Sequence, residues 1–174
     1  MSRIIMSRIM LSLVLALLPA LAQAALDQPL MAGAKVAFLG ITFIDTSTEG
    51  AYNGVRADQT ARIPLLEAAV RARFAEAGLV ILSNEPVAAE LANTVNPADC
   101  YGCERRMAAR LGADYVLVGE VQKVSNLILA MNLVLRDVET GTMLRGMSVD
   151  IRSNTDDSWL RGMRYILKNH FFKP

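Results

Sequence analysis

Cys100 and Cys103 stand two residues apart in the stretch ADCYGCERRM, residues 98–107, and the chain of 174 residues has no other cysteine. A pair at this spacing supports three chemistries. Oxidised, it is a staple: at a helix start the side chains of residues i and i+3 lie about 5–6 Å apart, the separation that a disulfide requires. Reduced, a thiolate at a helix N-terminus beside Arg105 and Arg106 is acidified and attacks other disulfides. As part of a structural zinc site the pair needs about four ligands. Beyond it the chain offers one histidine, His170, and dispersed carboxylates, so no metal site is expected. The staple is the first expectation, because the spacing and a disulfide-permissive compartment both favour it. The exchange centre is the second, with one obstacle: a thioredoxin-type pair directly follows a strand of a βαβ unit, and this one follows a loop.

A second group lies between Asp45 and Asp58, DTSTEGAYNGVRAD. Asp45, Thr46, Ser47, Glu49 and Asn53 crowd around Gly50 and Gly54, and Asp58 closes the run. Read as a loop after a strand end, it is the candidate binding surface, since such loops carry recognition residues. The plainer alternative is that Asp45, Thr46 and Ser47 satisfy backbone groups of a turn. Elsewhere His170 has no nucleophile placed for a hydrolase triad. The stretch after the first strand has neither the GxGxxG nor the GxxxxGK spacing of a phosphate loop. No cofactor and no catalysis are expected. Glu120 is expected to point to solvent near a strand end, and Arg161, Arg164 and Lys168 to form the wet face of the last helix.

These residues need elements to hold them. KVAFLGITFI, residues 35–44, is a nearly continuous apolar run and predicts a central strand covered on both faces. Ile63, Leu66, Val70 and Phe74 recur at helical spacing, predicting a helix over about 59–77 in which Pro64 forces a start near Arg62 or a bend. LVILS, residues 79–83, predicts a second short buried strand. Pro86 opens a short helix to about Leu91, and CERRMAARLG is another, ending at Gly112. A third strand spans roughly 114–124. In LILAMNLVLRD the odd positions 127–135 are all apolar, and Met143, Met147, Val149 and Ile151 alternate with polar residues. Period two in both segments predicts an antiparallel meander. Asn154 or Thr155 then caps a last helix with a buried stripe of Trp159, Met163, Ile166, Leu167 and His170 or Phe171. The order β-α-β-α-α-β-β-β-α predicts a single α/β (α+β) domain over 35–174, a mixed sheet of about five strands with helices packed on it.

The N-terminus sets the compartment. Arg3 and Arg8, an apolar run from Ile9 to Leu21 and Ala22-Gln23-Ala24 make residues 1–24 a secretory signal peptide, cleaved after Ala24, with 25–34 as a leader segment. The apolar run is too short to span a bilayer, which takes about 20 residues. No cysteine follows the cleavage point, so no lipid anchor is expected. Arg3 and Arg8 leave with the leader, so 16 of the 18 basic side chains remain against 17 acidic ones, a net charge of −1. Nothing in that balance recruits nucleic acid. The expected place is the periplasm, with an envelope protein as partner or a small ligand, and no integral span after cleavage.

The first strand ending in an acid, ADYVLVGEV leading into a hairpin closed by RDVETG, and the C-terminal helix together resemble the N-terminal domain of TolB and its relatives. That group includes the curli export protein CsgG and the lipoprotein activators of penicillin-binding proteins. DTSTEG, KVSNLIL and SVDIRSNTDDSW resemble a bacterial secreted family catalogued only as a domain of unknown function, over nearly all of residues 35–172. The wider resemblance implies a periplasmic module that binds proteins or envelope components without catalysis. The narrower one implies an accessory role beside periplasmic quinoprotein alcohol dehydrogenases. Pro64 and the missing lipidation cysteine depart from the wider pattern, and the second departure removes the ground for outer-membrane anchoring. Three functions follow as expectations: a periplasmic accessory or binding protein, a thiol-disulfide redox factor using Cys100 and Cys103, and a cell-envelope assembly factor that oligomerises through its sheet edge.

Overall fold

A five-stranded mixed sheet in the order β2-β1-β3-β4-β5 carries the chain, as the computed structural model shows for residues 29–173. The expected signal peptide, residues 1–24, and residues 25–28 of the expected leader segment lie outside the described residues. Strand β1 (Lys35–Asp45) is followed by short helices α1 (Thr48–Asn53) and α2 (Ala57–Thr60), and then by α3 (Ile63–Glu76). Next come β2 (Val80–Ile81), a 3-10 turn at Glu85–Val87, α4 (Ala88–Ala92), a second 3-10 turn at Pro97–Asp99 and α5 (Cys103–Arg110). The meander β3 (Tyr115–Lys123), β4 (Ile128–Asp137) and β5 (Met143–Arg152) leads into α6 (Asp156–Ile166), which runs on as a π turn over Leu167–Phe171. The predicted order is observed, with α1 and α2 added where a loop was expected.

β1 pairs in parallel with β2 and β3, and β3, β4 and β5 pair antiparallel, as the alternation predicts. One face is apolar almost throughout. Val36, Phe38, Leu117, Val121, Leu129, Met131, Leu133 and Leu135 are buried there beneath Leu66, Val70 and Phe74 of α3 and Trp159, Met163 and Ile166 of α6. The other face packs small residues, Ala37, Leu39, Val116 and Val118, against Val87, Met107 and Ala108. β1 is thus covered on both sides where its sequence is most apolar.

Three expectations change. The 59–77 span divides at Ala61–Arg62: of the two outcomes expected for Pro64, the start near Arg62 is observed, with Pro64 in the first turn of α3, where a missing N–H costs nothing, and α2 standing apart. The 79–83 strand shrinks to two residues on the sheet's edge, with Val80 about half exposed. Of the apolar positions in β5 only Ile151 is buried, because β5 is the opposite edge and lacks a neighbour to cover it. The last helix keeps its predicted stripe. Its cap is Thr155, in a reciprocal capping box with Ser158, while Asn154 accepts a hydrogen bond from the indole of Trp159 instead.

An irregularity in β1 aligns the strand ends at one end of the sheet. The pairing of β1 with β3 shifts between Phe38 and Ile41, where Gly40 takes φ +98°, and the Glu67 carboxylate accepts the N–H of Ile41 at 3.1 Å. This bulge sets the register in which Asp45, the last residue of β1, stands opposite Lys123, the last of β3.

Candidate functional site

In YVLVGEVQK the alternation that buries Tyr115, Leu117 and Val121 puts Lys123 on the same face. Its ammonium is therefore wholly buried at the end of the apolar core, where an unpaired charge would cost several kcal/mol. The segment after β1 supplies the partners. Lys123 Nζ donates to Asp45 Oδ2 at 3.2 Å, to Glu49 Oε2 at 2.8 Å and to Gln59 Oε1 at 3.5 Å. Gln59, on α2, is itself buried. A short polar latch thus closes one end of the sheet.

The local chain is built around that latch. Asp45 Oδ1 accepts both the N–H and the hydroxyl of Ser47, at 2.9 and 2.5 Å. Ser47 in turn caps α1 by accepting the N–H of Gly50 at 3.1 Å. Gly50 is required there: a Cβ would stand 2.4 Å from Asp45 Cγ. Thr46 donates its N–H and hydroxyl to the Lys123 carbonyl at 2.9 and 3.0 Å. Burial pushes the Asp45 carboxyl up, but the Ser47 hydrogen bonds and the Lys123 ammonium outweigh it and hold the group below the ordinary aspartate range. Burial likewise lowers Lys123, and Glu49 and Asp45 more than restore it. The Lys123 ammonium, with the Asn126 side chain, holds Glu49 low.

Of the six residues singled out between 45 and 58, two turn inward, Asp45 and Ser47, while Thr46 is exposed and tied to the Lys123 carbonyl. Glu49 is about a quarter exposed and shared between Lys123 and Arg56. Asp58 receives Arg56 Nε at 2.9 Å and Arg62 Nη2 at 3.3 Å. Arg62 also reaches Asp156 Oδ1 at 2.7 Å, tying α2 to the start of α6. Asn53 is exposed, as are Thr46 and Asp58. Beside these polar groups, large apolar side chains are also held out to solvent. Tyr52 is 85% exposed and Leu127 71%, with Val55, Val124 and Ile128 close to half exposed. All five stand at one end of the sheet, where β1 and β3 finish and β4 begins.

The cysteines form a second site at the border of the other face. They are joined, with Cα atoms 5.4 Å apart. The helix begins only at Cys103, however, so Cys100 closes a turn ahead of α5 instead of sharing a helix face with its partner. Their ring contains Tyr101 at φ +53° and Gly102 at φ +85°. Both sulfurs are committed to the bond, which leaves Glu104 as the one ligand of that cluster and no metal set. Glu120 is half-buried and held, accepting the side-chain amides of Asn96 at 3.1 Å and Asn132 at 2.8 Å, because Pro97–Asp99 folds back over the sheet. His170 is half-buried beside Tyr165, with no hydrogen-bond partner for Nε2 among the described residues. Arg161, Arg164 and Lys168 lie on the exposed face of α6, and Arg161 pairs with Asp157 at 3.0 Å. A groove of about 500 Å³ between β5 and α6 is lined by Met147, Val149, Arg152, Arg161 and Tyr165. No helix among the described residues is long and apolar enough to cross a membrane.

Lys123 escaped the sequence reading although its signal was present: position 123 is in phase with the buried residues of β3. Glu104 and Gln59 carried no such signal, since their burial depends on how short helices dock.

This architecture, a mixed sheet with helices on both faces and a meander running into a terminal helix, is that of the C-terminal domain of LpoB from Salmonella enterica. The two superpose with a TM-score of 0.50 at 16% identity over 78% of this chain and 94% of that one. Weaker likenesses are to the lipoprotein GNA1162 of Neisseria meningitidis (TM-score 0.48, 18% identity, 71% and 83% covered) and to PelC, a dodecamer, of Paraburkholderia phytofirmans (0.49, 16%, 80% and 89%). At such identities the likeness is one of fold. No curated protein matches the chain in sequence. The family model DUF3280, described as a protein of unknown function (DUF2380), matches residues 34–171, and the chain belongs to that family.

Proposed function

We propose that the protein is a non-catalytic accessory of the bacterial envelope, working in the periplasm by binding a partner protein at the latched end of its sheet. One observation carries this reading. Asp45, Glu49 and Gln59 are spent on a buried lysine, while Tyr52, Val55, Val124, Leu127 and Ile128 are held out to water at the same end. Exposed apolar side chains gathered on a fixed framework are the usual core of a protein interface. The framework is rigid here because α1 and the β3–β4 hairpin are pinned by the same ammonium.

The sequence resemblance to envelope-binding modules supports the reading, as does the LpoB-like fold. The finer assignment, support of a periplasmic quinoprotein dehydrogenase system, names the first partner to try. Binding of the purified protein to that dehydrogenase, or capture from periplasmic extract, is compared between wild type and Tyr52→Ser/Leu127→Ser. The reading expects the captured protein to be lost with the double variant and kept with Val80→Ser, at the opposite end of β1. Equal capture by all three proteins sinks it.

A further inference from the structure

The disulfide spans only three residues, so it joins pieces of chain that are already neighbours. Other features of the site point to traffic at the sulfurs. Cys103 is the first residue of α5, where the N-terminal N–H groups favour a thiolate. Arg106 brings a guanidinium against the ring, its Nη1 3.5 Å from the Tyr101 carbonyl. Glu104 is buried, and its Oε2 lies 3.3 Å from Cys100 Sγ, its single polar contact among the described residues. A disulfide sulfur carries no proton. Opposite the oxidised pair, that buried carboxyl has nothing to exchange a proton with; opposite a reduced Cys100 it does. Finally, Tyr101 within the ring is 97% exposed and Val95, just before the preceding turn, 94% exposed. They flank the half-buried Cys100 with apolar surface on which a second polypeptide can rest.

We propose that Cys100–Cys103 is an exchange-competent disulfide that accepts two electrons from a protein dithiol, with Glu104 relaying the proton of Cys100. A thiolate of the partner attacks Cys100 Sγ. The Cys100–Cys103 bond breaks, and Cys103 leaves as a thiolate at the start of α5 and takes a proton from solvent. The partner's second thiolate then attacks its own sulfur in the mixed disulfide. The bond to Cys100 breaks, and Cys100 leaves with a proton delivered through Glu104. The partner ends as a disulfide and this chain as a dithiol. In reverse, the Glu104 carboxylate takes that proton. This function is independent of the apolar end of the sheet, and either can fail alone.

The test equilibrates the purified protein in glutathione buffers, traps free thiols with a maleimide and counts them by mass, with a secreted protein's structural disulfide run alongside. The proposal expects at least half reduction in about 5 mM reduced and about 0.5 mM oxidised glutathione, the total being held fixed because two thiols are consumed per disulfide. A pair still oxidised at about a hundredfold excess, like the reference, overturns it. Reduction by dithiothreitol is then timed across pH. Glu104→Gln is expected to slow it about tenfold at neutral pH and to change the shape of the profile. An unchanged rate and profile overturn the role of Glu104. Should Glu104→Gln fail to fold, Glu104→Asp carries the same comparison, with a rate below wild type expected and a wild-type rate overturning it.

Discussion

The latch segment 45–58 and the cysteine turn 95–103 are opposite solutions to one problem, the placement of reactive side chains beside a sheet. The first is rich in acids and turns Asp45 in; the second holds Val95 and Tyr101 out and keeps Glu104 in. Charge in a sequence does not mean exposure when a cation waits on a neighbouring strand 78 residues away. Conversely, an aromatic in a tight ring has no core to join. The latch is thus a structural device with a functional surface outside it, and the cysteine turn a chemical device with its working groups on the rim and beneath it.

The comparison breaks most sharply at Lys123. Replacing it by alanine strands Asp45 in a dry site beside Glu49, and removing one member of a buried pair costs about 3–5 kcal/mol. Urea denaturation of Lys123→Ala should show that loss as a lower midpoint at unchanged slope. A change under about 1 kcal/mol would mean that the latch is open in solution. Removing both sulfurs, in Cys100→Ser/Cys103→Ser, should cost less, about 2 kcal/mol at most by chain entropy for so short a ring. A larger loss in the same assay would make the disulfide a true staple and weaken the contrast between the two regions.

Acid should also separate them. Asp45 is held below the ordinary aspartate value, so it contributes stability that is fully present above about pH 4. That contribution is lost as pH falls through the lowered folded value. Lys123, held above its ordinary value, contributes below about pH 10.4 and loses the contribution only as pH rises past its raised folded value. The expected outcome is a plateau between those limits. In Asp45→Asn, the fall in stability from pH 5 to pH 3, read by thermal melts, should be shallower than in wild type. Equal slopes would show that Asp45 is not linked to the latch.

Much of the fold was legible because it rests on periodicity. The odd positions of β4 and the stripe from Trp159 to Phe171 repeat often enough to override local exceptions. What failed was short. In DTSTEGAYN the helix of six residues carries no periodic signal, and its cap, Ser47, is also a turn former, so sequence left the choice open. The edge strands failed for another reason: Val80, Met143 and Val149 look like core residues, and only topology says that nothing lies beyond them. Of the candidate site, the cysteine pairing was legible from spacing. The helix opens at Cys103, as CERRMAARLG predicts, but its left-handed N-cap Gly102 leaves Cys100 in the turn before it, so the two cysteines do not share a helix face. The latch was legible in one half only, its acids.

The smallest effect expected is at Tyr101, and its size follows from two opposing terms. A non-glycine residue in the left-handed region is strained by roughly 1–2 kcal/mol, and Tyr101 at φ +53° bears that strain. Tyr101→Gly relieves it. Glycine also gains freedom in the unfolded chain, a loss to the folded state of about 0.5–1 kcal/mol. The fully exposed ring packs on nothing that would tip the balance. Tyr101→Gly should therefore melt within a degree or two of wild type, on the stable side, while Tyr101→Val, β-branched in the same conformation, melts lower. A clear loss in Tyr101→Gly would place the ring in a contact that ties the turn to the rest of the domain, and the cysteine turn would then be as inward-looking as the latch.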